Sequence, residues 1–387
     1  MKQKNHRKNQ LNRNMQQSDN IRVILSGGGT GGHIFPAVAI ANAIKAAAPQ
    51  AEILFVGAKG RMEMEKVPAA GYPIEGLWIS GLQRRLTTDN LMFPFKVISS
   101  LYKARKIIKS FKPDVVIGTG GYASGPTLRA ASGAGIPTLI QEQNSFPGIT
   151  NKMLAAKANI ICVAYHGMEK FFPASKIKLT GNPVRSDIEF SNISKAETLA
   201  QFGLQEGKTT LLVVGGSLGA RTINQSIESG INTLAEAGLQ LIWQTGKNFA
   251  PQASNAIAQY SDKGFITMPF IKEMDKAYAA ADIVVSRAGA IAISELCITG
   301  KPSILVPSPN VAEDHQTKNA MALSTRNAAI LVKDAEAAGS LVNKITELAA
   351  DHDEQLRLSN NISAMAIRNS AQQIAEYAFT LAGKSKK

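Results

Sequence analysis

Cysteine is nearly absent from this chain of 387 residues: Cys162 and Cys297 stand alone, neither in a CxxC pair. Two lone thiols exclude a disulfide framework and a cysteine-built zinc site. Aromatic residues reach only 6% and do not interleave with basic ones as on RNA-binding surfaces, so nucleic acid is not an expected partner. No apolar run approaches the ~18 residues that a bilayer span needs. Residues 1–20 are polar and basic and lack the apolar stretch of a signal peptide; they read as a disordered tail, and the chain as cytoplasmic. A GxxxxGK[ST] loop is also missing, which excludes a P-loop nucleotidase. His6, His166 and His352 have no carboxylate or cysteine at ligand spacing, so no protein-built metal site is expected.

What the chain does have is glycine in four similar places. Ser26-Gly27-Gly28-Gly29-Thr30-Gly31-Gly32-His33 follows the apolar run 21–25 and leads into an apolar helix pattern from Pro36. Glycine lets the backbone approach a ligand closely, and a helix N-terminus adds N–H groups and a positive dipole end. Such a turn favours anionic or oxygen-rich ligands. The construction recurs at Gly118-Thr119-Gly120-Gly121-Tyr122, at Gly215-Gly216-Ser217-Leu218-Gly219 and at Ser286-Arg287-Ala288-Gly289-Ala290. Two turns fall in each half. Parallel α/β sheets bind ligands where their strands end, so the simplest expectation is two doubly wound domains with their loop edges facing a common cleft.

Short β-rich runs support that organisation. They lie at 21–25, 53–56, 115–117, 138–140 and 160–163, then at 209–214, 239–244, 265–268, 282–285, 303–306 and 329–332. Helical stretches between them predict βαβ units and parallel sheets. The polar stretch 186–196 reads as the connection. The expected domains are 21–183 and 184–387, the latter carrying the alanine-rich C-terminal helices.

Charge separates the halves. Residues 1–20 carry five Lys/Arg against one acid, 21–180 nineteen against eight, and 181–387 nineteen against twenty. Nearly all of the net +14 therefore belongs to the N-terminal half, which suggests an anionic surface or substrate there. Leu77-Trp78-Ile79 and Leu91-Met92-Phe93-Pro94-Phe95 place apolar groups near Arg84, Arg85 and Lys96. The helix that follows repeats Val97, Leu101, Ile108 and Phe111, with Lys96, Lys103, Lys106 and Lys109 towards the other side. Two readings stay open: an amphipathic core helix with a solvated basic face, or a patch for anionic lipid.

Gly27-x-Gly29-x-x-Gly32 matches the dinucleotide fingerprint in form. That fingerprint also needs an acid at the end of the second strand. Here Ile53-Leu54-Phe55-Val56 ends in Gly57, and Glu52 lies at the wrong end. A nicotinamide enzyme is not expected. His33, bulky within a glycine loop, should face the ligand, where an imidazole can serve as general base. Glu142, just after a strand, is either a second base or a loop carboxylate. Glu295, on the helix after Ser286-Arg287-Ala288-Gly289, can accept from a ribose diol while the loop and Arg287 meet phosphates; its alternative is an acid serving the helix dipole. Asp314-His315-Gln316 begins a further helix that can bring polar groups to the same ligand.

In this order the motifs are specific. With Glu142-Gln143-Asn144, Gly181-Asn182-Pro183-Val184-Arg185 and Gln316-x-x-Asn319-Ala320, the chain from about Ile21 onward resembles the MurG family of UDP-N-acetylglucosamine transferases, glycosyltransferase family 28. The resemblance implies a GT-B architecture of two Rossmann-like domains. It implies inverting transfer of GlcNAc to the C4 hydroxyl of the muramic acid in lipid I, giving lipid II, on the cytoplasmic face of the bacterial inner membrane. The implied donor residues are Thr30, Gly31, Gly32, Asn144, Arg185, Ser217, Ile271, Arg287, Ala290, Ile291, Ala292, Ile293, Ser294, Glu295 and Gln316. Gly121, Tyr122 and Asn144 would meet the acceptor, and His33 or Glu142 would take its proton. No cofactor is implied, although free divalent cation can assist the pyrophosphate. Two positions depart from some relatives: Gln141 stands for histidine and His315 for glutamine. The alternatives are a UDP-GlcNAc 2-epimerase of the same fold and a non-catalytic nucleotide-sugar or anionic-lipid binding module.

Overall fold

The computed structural model describes residues 21–81, 92–216 and 218–384. The chain divides into two compact units, Met1–Val184 with Asn369–Lys387, and Arg185–Arg368.

Seven strands build the first unit's sheet: β1 (Arg22–Gly27), β2 (Glu52–Ala58), β3 (Ile74–Leu77), β4 (Val115–Gly120), β5 (Thr138–Glu142), β6 (Ile160–Val163) and β7 (Ile177–Leu179). They pair in the order β3-β2-β1-β4-β5-β6-β7, all parallel. Alternate side chains point to opposite faces, so each strand feeds two cores. Val23, Leu25, Phe55, Ile117 and Leu139 join helix α1 (Gly31–Ala47) on one face. Ile24, Val56, Val116, Ile140 and Ile161 join α3 (Phe93–Phe111), α4 (Ser124–Gly133) and α5 (Ile149–Ala155) on the other; the short α2 (Glu63–Ala69) follows β2.

The second unit repeats the plan with six parallel strands: β8 (Thr210–Val214), β9 (Gln240–Gln244), β10 (Phe265–Met268), β11 (Ile283–Ser286), β12 (Ser303–Leu305) and β13 (Ile330–Leu331). Their order is β10-β9-β8-β11-β12-β13. In both sheets the direction of winding reverses beside the first strand, between β1 and β4 and between β8 and β11. Crevices at such switch points hold ligands, and the four glycine turns are the loops leaving those four strands.

Three expectations change. The C-terminal helix Ser370–Leu381 belongs to the first unit, because Ile374, Ala375 and Ala378 are buried in the core formed with α1; the expected second domain thus ends at Arg368. Strands β3 and β7 were not foreseen, being sheet edges of four and three residues with little apolar patterning. The stretch 186–196 is not a plain linker: Ser186–Glu189 is helical, and Ser194 and Glu197 form a capping box on helix Lys195–Phe202.

Helix α3 keeps most of its sequence pattern, with Val97, Ile108 and Phe111 on the core and Lys106 and Lys109 exposed, and departs from it at Lys96. Its inward face carries Ser100, Ala104 and Ile108, whose small members let α3 approach α4. Lys96, expected outward, is buried and donates from Nζ to Ser80 Oγ at 3.1 Å. Phe95, Ile98 and Tyr102 are instead 62%, 67% and 72% exposed. Cys162 and Cys297 are free and buried, and burial pushes both thiols up to about 12.

Candidate active site

In the first unit two glycine loops interlock. Gly28 N–H donates to Gly120 O at 3.3 Å. Gly120 and Gly121 have φ of 105° and 85°, a region that L side chains rarely adopt. A Cβ on Gly121 would lie 2.3 Å from Gly28 O, and one on Gly120 would lie 2.8 Å from His33 Cε1. Glycine at these positions is what lets the His33 ring settle against the β4 loop.

Two loops of this edge, those after β1 and β5, are each anchored by a buried acid. Glu63, from α2, receives Gly29 N–H and Ala58 N–H, both at 2.9 Å. It is fully buried, and sequence reading missed it; its only signal was its place as one of two acids, Glu63 and Glu65, opening a short helix after the second strand. Glu142, at the end of β5, accepts from Asn144 N–H at 2.9 Å and Asn144 Nδ2 at 3.2 Å on one oxygen. The other oxygen accepts from Gly148 N–H at 3.2 Å and Asn151 Nδ2 at 2.8 Å. With four donors on its two oxygens, Glu142 organises the loop after β5. These contacts support the second of its two readings, that of a loop carboxylate.

His33 lies in the first turn of α1, after Thr30 as N-cap and beside Gly31 and Gly32. Its Nδ1 is 3.0 Å from Gln143 Oε1, and its carbonyl accepts from Thr119 Oγ1 at 2.8 Å. The first turn of α1 holds no acid, so nothing on the helix opposes a negative ligand there. Half-exposed Tyr122 lies over Gly81, where a Cβ would be 2.2 Å from its ring. His33, Gly121, Tyr122 and Asn144 therefore share one loop edge, that of β1, β4 and β5.

In the second unit, the β8 loop and the region after β10 are tied by Gln244, which sequence reading did not select. Its Nε2 donates to Gly216 O at 3.0 Å and its Oε1 accepts from buried Ile271 N–H at 2.9 Å. Ser217 lies outside the described residues. The run from Ala290 to Ser294, with Ile291, Ala292 and Ile293, forms the start of α6 (Ala290–Thr299), which has Gly289 as N-cap and no acid in its first turn. Gln316 Oε1 accepts from Ser308 N–H at 2.9 Å.

Glu295 is drawn into a charged cluster. Buried Tyr278 donates from its hydroxyl to Glu295 Oε2 at 3.0 Å. Burial pushes the Glu295 carboxyl up to about 7, against the lowering pull of Arg185 and the Tyr278 hydrogen bond. Arg185 pairs with Asp187 at 3.5 Å, while its buried Nη2 has no hydrogen-bond partner among the described residues. A buried guanidinium nitrogen left this way is suited to an anion or a hydroxyl oxygen.

Arg287 is held within its own unit. Its Nη1 contacts Val306 O and Pro307 O, each at 3.1 Å, and Asp334. Asp334 also accepts from Thr222 Oγ1 at 2.9 Å. The guanidinium thus pins the β11 loop to its neighbours, and Arg185 is the cation beside Glu295. Among the described residues no group of three or more His, Cys, Asp or Glu is placed to hold a metal ion.

These two loop edges have known counterparts. Residues 23–163 match the glycosyltransferase family 28 N-terminal domain and residues 210–376 the family's C-terminal domain. The chain belongs to glycosyltransferase family 28. It is 57% identical to a Cytophaga hutchinsonii protein named UDP-N-acetylglucosamine–N-acetylmuramyl-(pentapeptide) pyrophosphoryl-undecaprenol N-acetylglucosamine transferase, over 96% of this chain and 100% of that protein. A Phocaeicola vulgatus protein of the same name is 55% identical, over 95% and 98%. Among solved structures, MurG of Acinetobacter baumannii matches with a TM-score of 0.75 at 28% identity, covering 93% of this chain and 99% of that one. A UDP-N-acetylglucosamine 2-epimerase matches with a TM-score of 0.62 at 14% identity, covering 95% and 98%, and shows the fold alone.

Proposed function

We propose that this enzyme transfers GlcNAc from UDP-GlcNAc to the C4 hydroxyl of MurNAc in undecaprenyl-pyrophosphoryl-MurNAc-pentapeptide, lipid I, giving lipid II for peptidoglycan. The observation that carries this reading is the 57% identity to a transferase of that name along almost the whole of both chains. A 2-epimerase of the same fold is the weaker reading, since that likeness rests on 14% identity.

The reaction is an inverting displacement. The acceptor oxygen attacks the GlcNAc anomeric carbon from the face opposite UDP, and the C–O bond to the β-phosphate breaks with its electron pair leaving on UDP. The acceptor hydroxyl proton passes to His33 as general base. UDP is already a competent leaving group, so no acid is required. Charge growing on the pyrophosphate is met by the α6 N-terminus and by Arg185, while Glu295 accepts from the ribose hydroxyls. The reading includes no resident metal or cofactor; a free divalent cation can assist the pyrophosphate.

The first unit also serves as the membrane-facing part. Exposed Trp78, Met92, Phe95, Ile98 and Tyr102 form an apolar set near exposed Arg105, Lys106 and Lys109, as peripheral binding to an anionic leaflet requires. Among the described residues no helix is long and apolar enough to cross a membrane.

The test is to follow the label from radiolabelled UDP-GlcNAc with and without a lipid I analogue. Acceptor-dependent label in the lipid fraction is the expected result. Label recovered as UDP-ManNAc would replace the transferase by the epimerase, and saturable binding without conversion would leave a binding module.

A further inference from the structure

In the first unit three buried amide side chains form one directed hydrogen-bonded chain that ends on the half-buried imidazole of His33. His33 Nδ1 is 3.0 Å from Gln143 Oε1. Gln143 Nε2 donates to Thr119 O at 2.7 Å, to Gln141 O at 3.1 Å and to Gln141 Oε1. Gln141 Nε2 donates to Asn182 Oδ1 at 3.0 Å, and Asn182 Nδ2 donates to Gln143 O at 3.0 Å. Gln141, Gln143 and Asn182 are each at most 1% exposed.

An amide's oxygen and nitrogen are distinguished by what they face. Here backbone carbonyls, which only accept, stand at both ends of the chain. Thr119 O requires the nitrogen of Gln143, and Gln143 O requires the nitrogen of Asn182. Asn182 then turns its oxygen to Gln141, whose own oxygen meets Gln143. Every orientation is fixed, so the atom facing His33 Nδ1 is an oxygen that cannot donate. The Nδ1 of the ring must carry the hydrogen.

We propose that Gln143 is a positioning residue for His33: it holds the neutral imidazole as the Nδ1–H tautomer, with the lone pair on Nε2, and fixes the ring plane against the β4 loop. The inference rests on reading His33 as the base that receives the acceptor proton. Free imidazole in water favours the opposite tautomer, with hydrogen on Nε2. A base in that form would present N–H to a hydroxyl that must give up its own proton. Gln143 removes this state, as a carboxylate does for histidine in hydrolase triads, but with a neutral acceptor. Gln141, in turn, orients Gln143, which gives a reason for an amide at that position.

The test begins with the unaltered enzyme, 15N-labelled in histidine, with the His33 resonances assigned by their loss in His33→Gln. Long-range 1H–15N correlation should show a protonated Nδ1 and an unprotonated Nε2; the reverse pattern would overturn the proposal without any variant. Gln143→Met should then lower kcat on the order of tenfold, within the ~10²–10⁴-fold that general base catalysis supplies, and leave the KM for UDP-GlcNAc unchanged. Gln143→Glu keeps an acceptor at Nδ1 only by turning a second oxygen to Thr119 O and Gln141 O, where a donor is required, so it should not restore kcat. Unchanged turnover in folded Gln143→Met, or parental turnover in Gln143→Glu, would remove Gln143 from this role. Failure of the base reading itself is separate: it would appear as full turnover in His33→Gln with the wild-type tautomer intact.

Discussion

The carboxylate of Glu63 receives the backbone N–H of Gly29 at 2.9 Å, 34 residues away in sequence, and so holds the first glycine loop from beneath. Its other oxygen takes Ala58 N–H at the end of β2. Glycine loops lose much backbone entropy on ordering, and a buried acid accepting two N–H groups offsets part of that loss.

Glu63→Gln places an NH2 against one of these N–H donors. The expected cost is about 2–3 kcal/mol, seen as a Tm lowered by roughly 5–10 °C in calorimetry. Turnover should fall with it, because His33 follows the same loop. A variant as stable and as active as the parent would show that the loop holds its shape without this anchor.

Glu142→Gln separates loop building from catalysis. If the four donors around Glu142 define its role, the variant loses stability, about 1.5–3 kcal/mol for one charge-assisted bond, while kcat at saturating substrates stays within about tenfold. A general base would instead cost ~10²–10⁴-fold in kcat. Loss on that scale with an unshifted Tm would return Glu142 to the list of bases.

Glu295 should give the donor site a pH dependence. Its carboxyl is raised from 4.5 to about 7 by burial. As pH falls through about 7 it takes up a proton and no longer receives two ribose hydroxyls as a carboxylate, so the KM for UDP-GlcNAc should rise toward acid. In Glu295→Gln the KM should be high throughout, with no inflection near 7. Stability moves the other way. The folded group binds its proton more tightly than the unfolded one, so its contribution is full below about 4.5 and is lost as pH rises to about 7. Relative to Glu295→Gln, the wild type should lose up to roughly 3 kcal/mol across that window. Parallel Tm–pH curves for the two proteins would remove Glu295 as the titrating group.

The sheets and glycine turns were legible because short continuous apolar runs broken by glycine are what parallel strands buried on both faces require. His33 stood out as a single bulky residue within a glycine turn, whereas Asn144 and Arg185 came only from the resemblance to the family. What escaped was set by tertiary contact. An amphipathic helix such as Ser370–Leu381 carries no mark of which sheet it covers. On α3 the small residues Ser100 and Ala104 joined Ile108 on the inward face, and Lys96 was buried with them while Ile98 and Tyr102 stayed exposed. Arg287 looked like a phosphate ligand because its partner Asp334 lies 47 residues away. Glu63 and Gln143 act only through what they hold, and spacing cannot reveal that.

The exposed face of α3 leads to the membrane prediction. Phe95, Ile98 and Tyr102 are exposed on the helix, so replacing all three by serine should leave the core intact. Full burial of such a side chain contributes about 1.5–3 kcal/mol; partial immersion of three should together contribute about 3 kcal/mol. The triple variant should therefore bind anionic phospholipid vesicles about 100-fold more weakly in cosedimentation, since 1.4 kcal/mol is tenfold. Raising the salt should weaken the parent further through Arg105, Lys106 and Lys109, with little effect on neutral vesicles. Transfer to a short-chain, water-soluble lipid I analogue should be unchanged, which separates lost docking from lost folding. Equal vesicle binding by parent and variant would move the membrane contact away from α3.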